Sequence, residues 1–134
     1  MTVRLSPLAK RLITLTVSQQ CSTGFICFYT GSPPTNVGDT LDSTTQQLVA
    51  EIRLQGFSTY NEITSSLQAL PMIPEDACLL TGTIGWARLL DNNREVLLDT
   101  IVSTNYADDS LKLSVVEASV GAPLDLTTFG IKIV

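Results

Sequence analysis

The 134 residues include no histidine. The candidates for chemistry considered first are therefore the cysteines, the carboxylates and the single tryptophan. Without histidine, Ser-His-Asp and Cys-His nucleophilic mechanisms and histidine-ligated metal sites are excluded. The sequence also lacks the phosphate-loop, dinucleotide-binding, zinc-protease, serine-hydrolase and EF-hand motifs. We therefore predict that the chain is not an enzyme and that it uses no cofactor and no metal.

The three cysteines, Cys21, Cys27 and Cys78, are odd in number and show no CxxC spacing. This pattern favours reduced, partly buried thiols that act as small apolar residues. A disulfide between Cys21 and Cys27 is the alternative, although nothing in the sequence requires it.

Carboxylates occur as two adjacent pairs in predicted loops, at residues 75–76 and 108–109, together with Asp39 and Asp42. Charge that is simply solvated in loops is the default interpretation. Two carboxylates facing each other across a cleft would suit glycoside hydrolysis, and converging oxygen ligands would suit calcium. Of these two alternatives we favour calcium, because a divalent ion could link acidic loops between subunits.

Trp86 is predicted to be a structural anchor in the core or on a sheet face. Its functional alternatives are a protein-interface hot spot or a platform on which a sugar stacks. Arg88 and Asp99 are predicted to share one face of a hairpin, directly opposite or diagonal, as a structural pair worth less than ~1 kcal/mol. Gly85 and Ala87 are small, and we expect the N-terminal helix to pack against them.

The first element is a predicted helix over about residues 7–20. Ser6 and Pro7 have the residue types of an N-cap and a first helical position. Leucines then recur at helical spacing, at Leu8, Leu12 and Leu15. The β-branched stretch 12–17 leaves a strand as the alternative.

Short strands make up the rest of the predicted fold. Residues 25–30 are apolar on both faces, as in a central strand, and residues 48–55 alternate as in a half-buried strand. Runs at 84–90 and 95–102 flank the turn 91–94, which indicates a β-hairpin because Asn and Asp tolerate left-handed conformations. A final alternating strand is predicted within residues 124–134.

These elements predict one mainly β domain over residues 1–134. The expected architecture is an antiparallel β-sandwich, jelly-roll or Ig-like, with six to eight strands and one N-terminal α-helix. A Ser-, Thr- and Pro-rich loop at about 31–46 is long for a compact domain, and loops of that length are usually functional or disordered.

Charge and hydropathy limit the partners. The net charge is −5, which predicts no binding to nucleic acid or to an anionic membrane. No apolar run approaches the ~20 residues that span a bilayer. Lys10 and Arg11 interrupt the apolar stretch that a signal peptide would need, so we expect synthesis in the cytoplasm.

The order of these segments resembles a group of small phage and prophage virion proteins. The resemblance is strongest at residues 81–91, TGTIGWARLLD, followed by VLLD at 96–99. It also includes YTGSPP at 29–34, LVAEIRL at 48–54, VGAP at 120–123 and TTFGI at 127–131. The sequence departs most from the pattern between residues 56 and 77.

The resemblance implies a capsid decoration (cement) or head-associated protein with a β-sandwich, located in the virion. Its implied partner is the major capsid protein or another virion protein. A homo-oligomer is expected, and a trimer would suit three-fold positions of a shell. The candidate partner contacts are Pro33, Pro34 and Asn36 in the long loop and Arg4 in the N-terminal arm.

The sequence is also consistent with two functions other than that of a decoration protein. The first is a tail, neck or head-completion protein of the virion. The second is a carbohydrate-binding module, with sugars stacking on aromatic residues; the candidates are Trp86, Tyr29, Tyr60 and Tyr106.

Overall fold

A computed structural model describes residues 2–64, 66–70, 77–104, 111–113, 115–124 and 130–132, with the backbone alone described at 112 and 130–132. The predicted strand at 124–134 falls largely outside these residues, as do the acidic pairs 75–76 and 108–109. Within the described ranges, no helix combines the length and apolar character needed to cross a membrane.

The N-terminal helix, α1, spans Pro7–Cys21 and confirms the prediction of a helix rather than a strand. Its start follows from local chemistry: the Ser6 hydroxyl accepts a hydrogen bond from the Ala9 amide at 3.1 Å, and Pro7 occupies the first turn. A proline is tolerated there because the first amides of a helix have no partner within the helix.

The strands form a six-stranded main sheet and a two-stranded sheet. In chain order they are β1 (Phe25–Thr30), β2 (Leu48–Arg53), β3 (Ser66–Gln68), β4 (Gly82–Leu90), β5 (Val96–Ser103), β6 (Leu111–Lys112), β7 (Glu117–Ala118) and β8 (Gly130–Lys132). The main sheet has the order β2-β1-β4-β5-β6, with β7 paired to β4, and β3 pairs with β8. The predicted central strand is β1, which lies between β2 and β4.

The pairing is antiparallel, as predicted, except between β5 and β6. These two short segments run parallel, with Val102 opposite Leu111 and Ser103 opposite Lys112. Residues 111–115 alternate in hydropathy, but the alternation carries no information about the direction in which the strand will pair.

The hairpin predicted around residues 91–94 is present as β4 and β5, but its turn differs in detail. Arg94, not an Asn or Asp, has the positive φ, at 63°. The Asp91 carboxylate accepts hydrogen bonds from the amides of Asn93 and Glu95, each at 2.9 Å. In this turn the left-handed conformation is therefore adopted by the residue that follows the two asparagines.

The hydrophobic core lies on one face of the main sheet. Ile26 pairs with Ile52 and Leu89, and Phe28 pairs with Ala50 and Ala87, so these side chains share that face. Other elements contribute to the same cluster: the end of α1, the segments that follow β2, β3 and β6, and β7. Their buried residues include Cys21, Leu54, Cys78, Leu113 and Ala118.

The expected packing of the helix against Gly85 is wrong. A Cβ at position 85 would overlap the carbonyl oxygen of Gly31, so the neighbour of Gly85 is the backbone at the start of the long loop. Ala87 does belong to the core that includes Cys21, the last residue of α1. The missing side chain at 85 therefore admits a close backbone approach rather than a bulky helix.

Candidate functional site

The long loop, residues 31–47, is fastened at both ends and braced within. The Thr30 amide donates to the Gln47 carbonyl at 3.0 Å, and the Thr30 hydroxyl accepts from the Gln47 amide at 3.0 Å. Inside the loop, the Gln46 side-chain amide donates to the Ser32 carbonyl at 2.7 Å. Its two ends meet, as in an Ω-loop, which gives a long polar segment a defined shape.

The structure places three of the predicted contact residues on this loop. Pro33 and Pro34 are half-buried, and Asn36 is exposed. The Asn36 amide donates to the Asp39 carboxylate at 3.0 Å, which forms a turn with Val37 at its exposed apex. The loop therefore presents an apolar side chain among polar ones on a braced backbone.

The loop carboxylates serve as turn acceptors. Asp42 accepts from the Thr44 amide at 2.9 Å and from the Thr44 hydroxyl at 2.8 Å. These hydrogen bonds hold the pKa of Asp42 below its ordinary value of 3.8, because they favour the charged form. No cluster of three or more His, Cys, Asp or Glu side chains suited to a metal occurs in the described ranges.

The root of the loop rests on Trp86. The Trp86 indole Nε1 donates to the Thr30 carbonyl at 3.0 Å, and its ring stacks on Tyr29 at 4.6 Å between centroids. Trp86 is 0% exposed, so its ring faces are closed to a sugar. Burial also raises the pKa of Tyr29 to about 12. Both rings thus anchor the loop to the sheet.

Arg88 and Asp99 lie directly opposite each other on β4 and β5, as the sequence predicts. Arg88 binds Asp99 through two parallel hydrogen bonds, Nε to Oδ1 at 2.7 Å and Nη2 to Oδ2 at 3.0 Å. The two side chains are 7% and 5% exposed, so the pair is buried. The guanidinium also lies 5.2 Å from the Trp86 ring centroid. The Asp99 hydrogen bonds raise the pKa of Arg88.

A second ion pair on the same sheet face was not predicted. Arg94 donates both guanidinium arms to the Glu51 carboxylate, the longer bond being 3.3 Å, and lies over the Phe25 ring at 4.3 Å. The Cys27 thiol donates to Glu51 at 3.6 Å. These residues come from three strands or turns far apart in sequence, so only the sheet register brings them together. We call this face, with Cys27, Glu51, Trp86, Arg88 and Asp99, the polar face.

The N-terminal segment offers a separate surface. Arg4 is exposed, ahead of the N-cap, and therefore lies on a different element from the loop contacts. Leu8 and Leu12 are exposed, whereas the buried residues of α1 are Thr14, Ser18 and Cys21. We call Leu5, Leu8 and Leu12 the leucine stripe. Leu5 precedes the helix, and of the leucines predicted at helical spacing only Leu15 is outside the stripe. The spacing does not predict the direction in which these leucines point.

The remaining candidates are placed as follows. The guanidinium of Arg11 lies 5.7 Å from the ring centroid of the half-buried Tyr60. Tyr106 lies outside the described residues. The thiols of Cys21, Cys27 and Cys78 are buried and form no disulfide.

Comparisons with protein-family models, with curated proteins and with solved structures found no match.

Proposed function

We propose that this chain is a non-enzymatic structural protein of a phage virion. In this role it is a capsid decoration protein that binds the shell and bridges neighbouring subunits. Its partner would be the major capsid protein. The proposal starts from the resemblance of the segments at 29–34 and 81–91 to small virion proteins.

The observation that carries the proposal is the braced loop 31–47. Its ends are tied through Thr30 to Gln47 and its root rests on Trp86, so the contact residues are held before a partner arrives. A loop that is already ordered loses little conformational entropy on binding. Weak contacts of this kind suffice on a shell, because many copies bind one lattice.

The sandwich architecture belongs to the same proposal. Phe57 and Ala69 form an isolated β-bridge beside β3, and both pack against the core of the main sheet. We infer that the β3–β8 sheet and α1 act as the second layer of a sandwich over that core. The polar face would then be the side of the main sheet that points away from the second layer, closed by its own rings and ion pairs.

Shell binding tests the proposal directly. Purified chain is mixed with heads that lack it, and the bound fraction and stoichiometry are measured after sedimentation. The triple variant Pro33→Ala/Pro34→Ala/Asn36→Ala should lose binding by at least about tenfold, since it removes contacts from the loop. The matched control is Pro123→Ala/Asn93→Ala, which alters exposed residues of the same types in other turns.

Two outcomes would contradict the proposal. In the first, the chain fails to bind heads and instead associates with tails or necks. In the second, the loop variant binds heads as well as the control does, although circular dichroism shows both variants to be folded.

A further inference from the structure

The leucine stripe of α1 is apolar surface that the fold leaves uncovered. Leu8 is 62% exposed and Leu12 is 55% exposed. The buried residues of the helix, Thr14, Ser18 and Cys21, lie roughly 130° around the axis from the two leucines, and Val17 also packs against the core. A surface helix normally turns its apolar residues to the core. Here Leu8 and Leu12 are instead available to another molecule.

The distribution of charge along the chain indicates which molecule would cover the leucine stripe. Residues 2–24 contain three basic residues, Arg4, Lys10 and Arg11, and no acidic residue. The rest of the chain contains five basic residues against thirteen acidic ones. Arg11 pairs with Glu62 of its own chain at 3.0 Å. With Arg4 and Lys10, the N-terminal segment of one copy is complementary in charge to the acidic body of another. Two such helices side by side would bring like charges together.

The body offers an apolar site for the stripe. The Cys78 amide donates to the Ala122 carbonyl at 2.7 Å, and the Gly121 amide donates to the Cys78 carbonyl at 2.9 Å. These bonds hold the segment at 77–79 next to the segment at 120–122, and each segment carries an exposed apolar residue, Leu79 at 58% and Val120 at 64%. Glu117 is exposed on β7, three residues before Val120. We call Leu79, Val120 and Glu117 the acceptor patch.

We propose that the leucine stripe of one copy docks on the acceptor patch of a second copy, head to tail. Such a contact joins two different surfaces, so repeating it builds a ring or an open chain of subunits. A homo-oligomer is already expected from the sequence; the proposal adds the two surfaces through which the copies would meet. Because it concerns the isolated chain, it can fail while shell binding holds, and the reverse is also true.

Complementation between two variants tests the proposal. The stripe variant is Leu8→Ser/Leu12→Ser, and the acceptor variant is Leu79→Ser/Val120→Ser. Each should raise the Kd of self-association by at least about a hundredfold, because two buried apolar side chains are lost. Mixed together, they should form a one-to-one dimer through the intact stripe of one and the intact patch of the other. Sedimentation velocity reads both results, and Val37→Ser is the control for an exposed apolar residue elsewhere.

The salt dependence of self-association distinguishes docking on the acceptor patch from the pairing of two helices. Charge-complementary docking should weaken as salt rises, and Arg4→Glu should weaken it further. The proposal is overturned if the chain is monomeric at millimolar concentration. It is also overturned if the acceptor variant still self-associates, or if the stripe variant loses only binding to anionic vesicles. Circular dichroism establishes that each variant is folded.

Discussion

At the residue scale, the charged and aromatic side chains of the polar face bind one another. Arg88 has two hydrogen bonds to Asp99 and also lies near the ring of Trp86. Burial changes the energetics of this pair from those of a surface pair. Removing one partner would leave the other charge buried and unpaired, which costs far more than the pair itself contributes.

We expect Asp99→Asn to lower the free energy of unfolding by about 3–5 kcal/mol, because Arg88 then keeps its charge without a carboxylate partner. The double variant Arg88→Met/Asp99→Leu should recover most of the loss, since it removes both charges and keeps the space filled. Urea unfolding, followed by the fluorescence of Trp86, measures both. A loss under about 1 kcal/mol for Asp99→Asn would show that the pair behaves as an exposed one.

The buried thiols predict a loss of stability at high pH. Burial raises the pKa of Cys21 to about 11 and that of Cys27 to about 12, from an ordinary value of 9.0. Unfolded thiols ionise above 9.0 while the folded ones stay protonated, so the stability is complete below 9.0 and declines as pH rises toward about 11–12.

The effect is measured as the midpoint of urea unfolding at successive pH values, with Cys21→Ala/Cys27→Ala as the comparison. The wild-type midpoint should fall more steeply above pH 9.0 than that of the variant. Equal slopes would contradict the assignment. Alkylation of the native protein should likewise be slow until it unfolds.

At the scale of elements, the sequence predicted what is determined locally. The N-cap and proline before α1, the turn after β4 and the alternation along β2 each depend on neighbouring residues. The orientation of α1 does not: Leu8 and Leu12 are exposed, whereas Thr14, Ser18 and Cys21 are buried. The pairing of Glu51 with Arg94 likewise does not depend on neighbouring residues, because the two are 43 residues apart in sequence.

The close approach of Gly85 to Gly31 is another long-range feature, and a substitution at Gly85 tests it. We expect Gly85→Ala to destabilise the protein by at least about 1–3 kcal/mol, because the new methyl group would overlap the backbone carbonyl of Gly31. Gly82→Ala is the control, since its methyl group would meet only side-chain atoms, at 3.2 Å and 3.3 Å. Thermal unfolding compares the two. Equal melting temperatures would show that the loop root does not rest on β4.

At the scale of the whole molecule, the fold separates three surfaces by chemistry. The core lies on one face of the main sheet, the polar face is closed by its own ion pairs, and exposed apolar residues include those on α1, on the loop and in the acceptor patch. The mainly β class with one N-terminal helix could be predicted because it is the sum of local patterns. The choice of loop contacts, which include Pro33, Pro34 and Asn36, stays a prediction until binding is measured.

The most direct test of the central claim is the location and number of copies of this chain in purified virions. Heads and tails are separated, and the chain is quantified in each by mass spectrometry against the major capsid protein. A decoration protein is expected in heads, in many copies that stand in a fixed ratio to the shell lattice. Absence from heads, or a copy number that fits a single ring at the neck or tail, would contradict it.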